Sequence, residues 1–257
     1  MTKPEGAPIW LALRTSNPDG AIAFYGELLG WTAQRADPPG TESEDGGGNI
    51  NFSLDGALVA SMDAAPSENG SAWTVFLHSP DIERTASAIV AAGGTVKYAA
   101  QLGDIGGMIE AIDSTGADVG VWQPGTHEGF GVEVVAGAPA WHELNTKDFA
   151  GARDFYRDVF GWTTTVIADS DDFRYATFDV GDETYSGIHD SARELDADER
   201  SHWISYFEIA DAEAAKARIV ELGGAVLSPT WDSPYGKVTV VTDPFGARFV
   251  ALERPPA

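Results

Sequence analysis

The stretch WHELNTKDFAGARDFYRDVFGW, Trp141 to Trp162, decides the fold. Apolar and polar residues alternate from Trp141 to Thr146, the period of a strand with one buried face. Asp148 stands where a helix needs its N-terminal cap. Phe149, Ala152, Phe155, Tyr156, Val159 and Phe160 then recur at helical spacing and form one apolar stripe. Gly161 stops the helix, and Trp162 opens another strand. The result is a compact strand–helix–strand unit.

The same unit stands at Trp10 to Trp31, WLALRTSNPDGAIAFYGELLGW. An offset of 131 sets Trp10 on Trp141, Leu13 on Leu144, Thr15 on Thr146, Phe24-Tyr25 on Phe155-Tyr156 and Gly30-Trp31 on Gly161-Trp162. The lead-ins Gly6-Ala7-Pro8 and Gly137-Ala138-Pro139 also coincide. Agreement of so many aromatic and glycine positions at one offset identifies an internal duplication.

Outward from these units the chain divides into four βαβββ modules. In the first, Asn17 caps the helix and Pro18 takes its first position, where a missing N–H costs nothing. Asp37 to Asn49 is acidic and glycine-rich and reads as a mobile loop. Ile50 to Leu54 and Ala57 to Met62 follow as strands around Asp55-Gly56. The second module has the strand Ala72 to His78, a helix from Asp81 to Ala92, and strands at Thr95 to Ala99, Met108 to Ile112 and Asp118 to Gln123. The third adds Phe173 to Phe178 and Thr184 to His189 to the opening unit. The fourth reads as His202 to Ile209, a helix from Asp211 to Leu222, then Ala225 to Trp231, Lys237 to Thr242 and Ala247 to Glu253. Here an offset of 130 aligns Trp73 with Trp203 and Asp113 with Asp243. The expected architecture is α+β: tandem βαβββ modules paired into two domains, 1–125 and 137–257. Residues 126–136 form the linker, and Val132 to Val135 has the composition of a further strand. A helix on one side of each curved mixed sheet leaves the concave side for a small molecule.

Sixteen Lys and Arg against 40 Asp and Glu give a formal net charge of −24. Such a surface disfavours nucleic acid and anionic membrane as partners. There is no cysteine, so disulfides and thiolate metal ligands are excluded. No apolar signal core opens the sequence and no stretch is long enough to span a bilayer. A cytoplasmic protein, monomeric or homodimeric, is the expectation.

The motifs AFYGELLGW and DFYRDVFGW, with IVAAGG and IVELGG, DSTGADVGVW and DPFGARFVAL, resemble the vicinal oxygen chelate superfamily of glyoxalase I, extradiol dioxygenases and bleomycin-resistance proteins. The resemblance covers nearly the whole chain. Within the superfamily it looks most like two-domain actinobacterial proteins labelled hydroxylases or glyoxalase-like. It implies two glyoxalase-like domains and, in the enzymes, a divalent metal held by a His at the start of a module's first strand and a Glu on its last. Those positions fall here on Trp10, Thr74, Trp141 and Ile204, and on Gly120 and Val250, none of which is a metal ligand. No cofactor is therefore expected, and the alternative is a divalent metal at a displaced site near His142, Glu143 and His202. Strand parity turns His142 away from the concave face.

Parity also names the residues that line the concave faces. They are Trp10 and Arg14, then Phe76, His78 and Trp122, in the first half. In the second half they are Trp141, Glu143 and Asn145, then Tyr206 and Glu208. Trp10 and Trp141 either fill space that a metal vacates or stack on a ligand. Arg14 suits an anion, and Glu143 is a candidate base. Three functions remain open: a metal-free binder of a small, partly aromatic molecule; a lyase or oxygenase; and a protein that works through its surface.

Overall fold

The computed structural model describes residues 3–35, 49–64 and 70–255. Most of the acidic, glycine-rich stretch after Asp37, including Gly46-Gly47-Gly48, lies outside the described residues. Module one is β1 (Pro8–Thr15), α1 (Pro18–Leu29), β2 (Thr32–Arg35), β3 (Asn49–Leu54) and β4 (Ala57–Ala64). Module two is β5 (Ala72–His78), α2 (Ile82–Ala91), β6 (Thr95–Gln101), β7 (Gly106–Ile112) and β8 (Asp118–Pro124). Module three is β9 (Pro139–Thr146), α3 (Phe149–Phe160), β10 (Thr164–Asp169), β11 (Arg174–Val180) and β12 (Glu183–Asp190). Module four is β13 (His202–Glu208), α4 (Ala212–Glu221), β14 (Ala225–Val226), β15 (Trp231–Ser233), β16 (Gly236–Thr242) and β17 (Arg248–Glu253).

The helix ends form where the side chains supply partners for the free backbone groups. Asn17 Oδ1 accepts from Gly20 N at 3.0 Å and Asp148 Oδ1 from Gly151 N at 2.9 Å. Gly30 and Gly161 end α1 and α3 at φ of 75° and 71°, a left-handed turn that disfavours any Cβ.

Two curved mixed sheets result. The first runs β2-β3-β4-β1-β5-β8-β7-β6, and the second β10-β11-β12-β9-β13-β17-β16-β14, with β15 beside β16. In each module the first strand lies parallel to the last, as a crossover connection requires. Thus β1 pairs with β4, β5 with β8, β9 with β12 and β13 with β17.

Tertiary contacts divide the chain differently from the sheets. One unit joins modules two and three with the first ten residues, and the other joins modules one and four with residues 130–140. Each unit has an aromatic core with a Trp–Tyr–Asp chain inside it. In the unit of modules two and three, Trp203 Nε1 donates to Tyr156 Oη at 2.8 Å, and Tyr156 donates to Asp113 Oδ2 at 2.9 Å. Trp162 stacks on Tyr156 and Phe178 at 4.7 and 4.5 Å. In the other unit Trp73 donates to Tyr25 at 3.0 Å and Tyr25 to Asp243 at 3.1 Å, with Trp31, Phe52, Phe207 and Phe249 around them. Burial raises both tyrosines well above their ordinary range and also raises both aspartates. Each chain satisfies polar groups that would otherwise be buried alone.

Two expectations about strands fail. The strand expected from Ala225 to Trp231 breaks into β14 and β15. Leu227 and Ser228 both direct their N–H groups to Val240 O, Ser228 Oγ accepts from Val240 N, and Pro229 has no N–H to continue the ladder. Val132 to Val135 is not a strand: Val134 and Val135 are exposed and Ala138 N turns back to Val135 O. Among the described residues no helix is long and apolar enough to cross a membrane.

Candidate functional site

The clearest concave-face cluster is built by β9, β11 and β12. Register sets Glu143 against Gly187 and Asn145 against His189, and His189 against Tyr175 on the next strand. Residues opposite one another share a face, so Trp141, Glu143, Asn145, Tyr175 and His189 form one surface. Gly187 leaves room for a ring: a Cβ there would lie 1.9 Å from Tyr175 Oη. Trp141 Nε1 reaches that hydroxyl at 3.2 Å. Phe173 stacks on Tyr175 at 5.9 Å and lies 5.4 Å from the His189 ring.

The histidine is held on one side only. Its Nδ1 lies 3.2 Å from Asn145 Oδ1 and 3.1 Å from Ser191 Oγ, and Ser191 donates to the same Asn145 oxygen at 2.9 Å. In the neutral ring, with Asn145 Oδ1 as the acceptor, Nδ1 carries the proton and Nε2 the lone pair. Glu194 Oε2 is 3.7 Å from Nδ1, and the imidazole is 14 % exposed. Nε2 is buried and has no hydrogen-bond partner among the described residues. A buried polar atom left without a partner in an aromatic wall is a place for a ligand donor. Glu143 is on the same face and is 8 % exposed.

The first half carries other groups at the corresponding places. Trp10 is buried with its ring 4.3 Å from His127, and Trp122 lies 5.3 Å from the same imidazole. Phe76 covers Gly120, where a Cβ would meet the ring at 2.4 Å. His78 is in register with Trp122, and its Nδ1 is buried without a partner. Arg14 is in register with Asp63, 3.7 Å away, and both are exposed. In module four, Tyr206 is opposite Val250, and Glu208 Oε2 lies 3.3 Å from Arg254 Nε.

Residues 138–251 match the family described as Glyoxalase/Bleomycin resistance protein/Dioxygenase superfamily, and residues 10–112 match a Glyoxalase-like domain. The anthracycline biosynthesis protein DauV of Streptomyces sp. (strain C5) is 34% identical over 271 residues, covering 96% of this chain and 93% of DauV. The chain belongs to the glyoxalase/bleomycin resistance/dioxygenase superfamily. CFP32 of Mycobacterium tuberculosis, which bears a glyoxylase name, is 31% identical over 98% of this chain and 96% of its own. Among solved structures, the Mn(II)-bound glyoxalase of Novosphingobium aromaticivorans has a TM-score of 0.64 at 14% identity, covering 98% of this chain and 83% of that one. The 2,3-dioxygenase LapB of Pseudomonas sp. KL28 reaches 0.62 at 16%, covering 99% and 96%.

The metal that the superfamily's enzymes carry does not fit the residues present. Of the expected ligand positions, Trp10 faces His127, Gly120 lies under Phe76, Trp141 bonds Tyr175, and Ile204 and Val250 are buried apolar residues. The displaced set does not converge either. His142 lies on the opposite face of β9 from Glu143. It is 6 % exposed, and burial, with Lys3 nearby, pushes its pKa down to about 3. His202 is at a strand end with Nδ1 3.1 Å from Arg200 O. Among the described residues no three His, Asp or Glu side chains gather where they could hold a metal.

His189, Tyr175 and Ser191 were absent from the expected site, as was His127. The signal for His189 was the alternation of Thr184 to His189. Placing it beside Asn145 requires the β9–β12 register, which a single sequence does not contain.

Proposed function

We propose that this superfamily member binds a flat, oxygenated aromatic molecule on the face of Trp141, Tyr175 and His189. The observation that carries this reading is the Nε2 of His189, buried and without a partner among the described residues, beside the rings of Phe173 and Tyr175, the latter bonded by Trp141. A phenolic hydroxyl of the ligand donates to Nε2 while its ring packs on Tyr175 and Phe173. Glu143 and Asn145 complete the polar side. Anthracyclines are hydroxylated polycyclic quinones, so the name of DauV supports testing that class of ligand. The test is calorimetric titration of the purified protein with phenols, naphthols and hydroxyanthraquinones. Saturable binding to wild type that weakens about tenfold in His189→Ala supports the reading. Binding unaffected by both His189→Ala and Trp141→Phe overturns it.

A second reading is an enzyme, a lyase or oxygenase, and the presence of Glu143 on the same face as His189 favours it. A carboxylate and an imidazole on one face can divide proton acceptance and donation between them. Conversion of a bound phenol, lost in Glu143→Gln while binding persists, distinguishes this reading from simple binding. Metal analysis of protein purified without chelators tests the remaining form of it, a divalent cation supplied from solution.

A further inference from the structure

We propose that the space between Trp10 and Trp122 is a second binding site, built for one flat heteroaromatic ring, and that His127 of the chain itself is its resident occupant. This goes beyond the reading of the His189 face and stands or falls separately from it.

The imidazole of His127 contacts both tryptophans edge to face, 4.3 Å from Trp10 at 82° and 5.3 Å from Trp122 at 63°. The edge-to-face angles are those of favourable aromatic pairs, and the contact with Trp10 is tighter than such pairs usually show. Burial lowers the pKa of His127, which keeps the occupant uncharged. Nearby, Phe76 lies over Gly120, and His78 Nδ1, in register with Trp122, is buried without a partner. A ring with a donor on its edge can use that nitrogen.

The loop that delivers His127 is held by its main chain. Gly125 N and His127 N donate to Ile105 O at 3.1 Å, and Thr126 N donates to Asp104 O at 2.8 Å. Trp122 Nε1 donates to the carbonyl of His127, not to its ring, at 2.9 Å. Gly129 has φ of +106°, and a Cβ there would lie 2.5 Å from Ile9 O, so the chain passes close by only as glycine. None of these anchors uses the imidazole. Truncating the side chain therefore leaves the loop in place and opens a ring-sized space lined by tryptophan, as large-to-small substitutions do in rigid surroundings.

The experiment is to titrate imidazole at pH 8 into wild type, His127→Ala and His127→Phe, read by calorimetry and tryptophan emission. Saturable binding to His127→Ala, at least about tenfold tighter than to wild type or to His127→Phe, is the expected result. No saturable binding to a cooperatively folded His127→Ala, or equal binding to all three proteins, overturns the proposal. Should His127→Ala fail to fold, proton NMR of the wild type decides. Ring currents of Trp10 and Trp122 shift the His127 ring protons upfield, and the imidazole titrates below the ordinary histidine range. Signals and titration like those of a free histidine overturn it.

Discussion

Arg14 with Asp63, and Asn145 with His189, occupy the same place in duplicated modules. Both pairs join the first strand of a module to its last, in register, and Arg14 and Asn145 are related by the offset of 131. The first pair is an exposed ion pair at 3.7 Å, half-open to water on both sides. The second is a hydrogen bond at 3.2 Å that leaves Nε2 buried and without a partner among the described residues. Duplication kept the scaffold, while the side chains at matching places differ. A charged pair in water satisfies itself, whereas a half-satisfied imidazole among aromatic rings is where the proposed ligand would bond.

Where the two halves are alike, damage should be alike and large. Tyr25→Ala and Tyr156→Ala each remove a buried ring and the middle of a Trp–Tyr–Asp chain, and each should cost about 3–5 kcal/mol in urea unfolding. If one substitution proves nearly neutral, the two cores are not equivalent and the comparison of halves fails.

The next effect belongs to one half alone. His142 corresponds to Leu11 at the same offset, and burial holds its pKa at about 3 against an ordinary 6.5. The unfolded chain then binds a proton below about pH 6.5 that the folded chain refuses until about pH 3. Stability from this group is complete above 6.5 and is lost as pH falls toward 3, by a few kcal/mol in order of magnitude. His142→Leu should flatten the stability profile of the folded protein through that window. Asp113 and Asp243, raised by burial, act in the opposite direction and remain in both proteins, so they cancel in the difference. An unchanged slope between wild type and variant would remove His142 from the acid response.

Ligand affinity sharpens the comparison at the level of about tenfold. His189→Ala should weaken binding of a hydroxylated aromatic by about that factor, the value of one hydrogen bond, whereas Asp63→Ala at the matching place should leave it within about twofold. Equal losses would mean that the ligand does not distinguish the two faces. The smallest effect is on stability: Arg14→Ala removes an ion pair exposed by 44 % and 52 % and should cost under about 1 kcal/mol in urea unfolding.

Much of the fold was legible. Asn17, Pro18, Gly30, Asp148 and Gly161 mark helix ends through local chemistry, and the aromatic stripe of Phe149 to Phe160 marks the buried face of α3. The site was legible by halves. Alternation placed Trp141, Glu143 and Asn145 on one face and His142 on the other, because strand parity is local. It could not bring His189 to Asn145 or His127 to Trp10, since those pairs depend on register and on the path of a loop.

The sequence by itself determined four modules, their duplication, the cap and stop of α1 and α3 and the lack of metal-ligand side chains at the superfamily's positions. The caps and stops follow from residue type and spacing along a few turns of chain, the duplication from one offset held across the chain, and the ligand positions from the resemblance to the superfamily. Tertiary structure decided which modules share a core, joining Tyr156 to Asp113 and Tyr25 to Asp243 across long stretches of sequence. It also decided that Trp10 faces His127 and that His189 keeps one nitrogen unpartnered. These contacts arise when separate modules pack and bury their faces together, and their energy depends on partners distant in the chain, which no local pattern encodes.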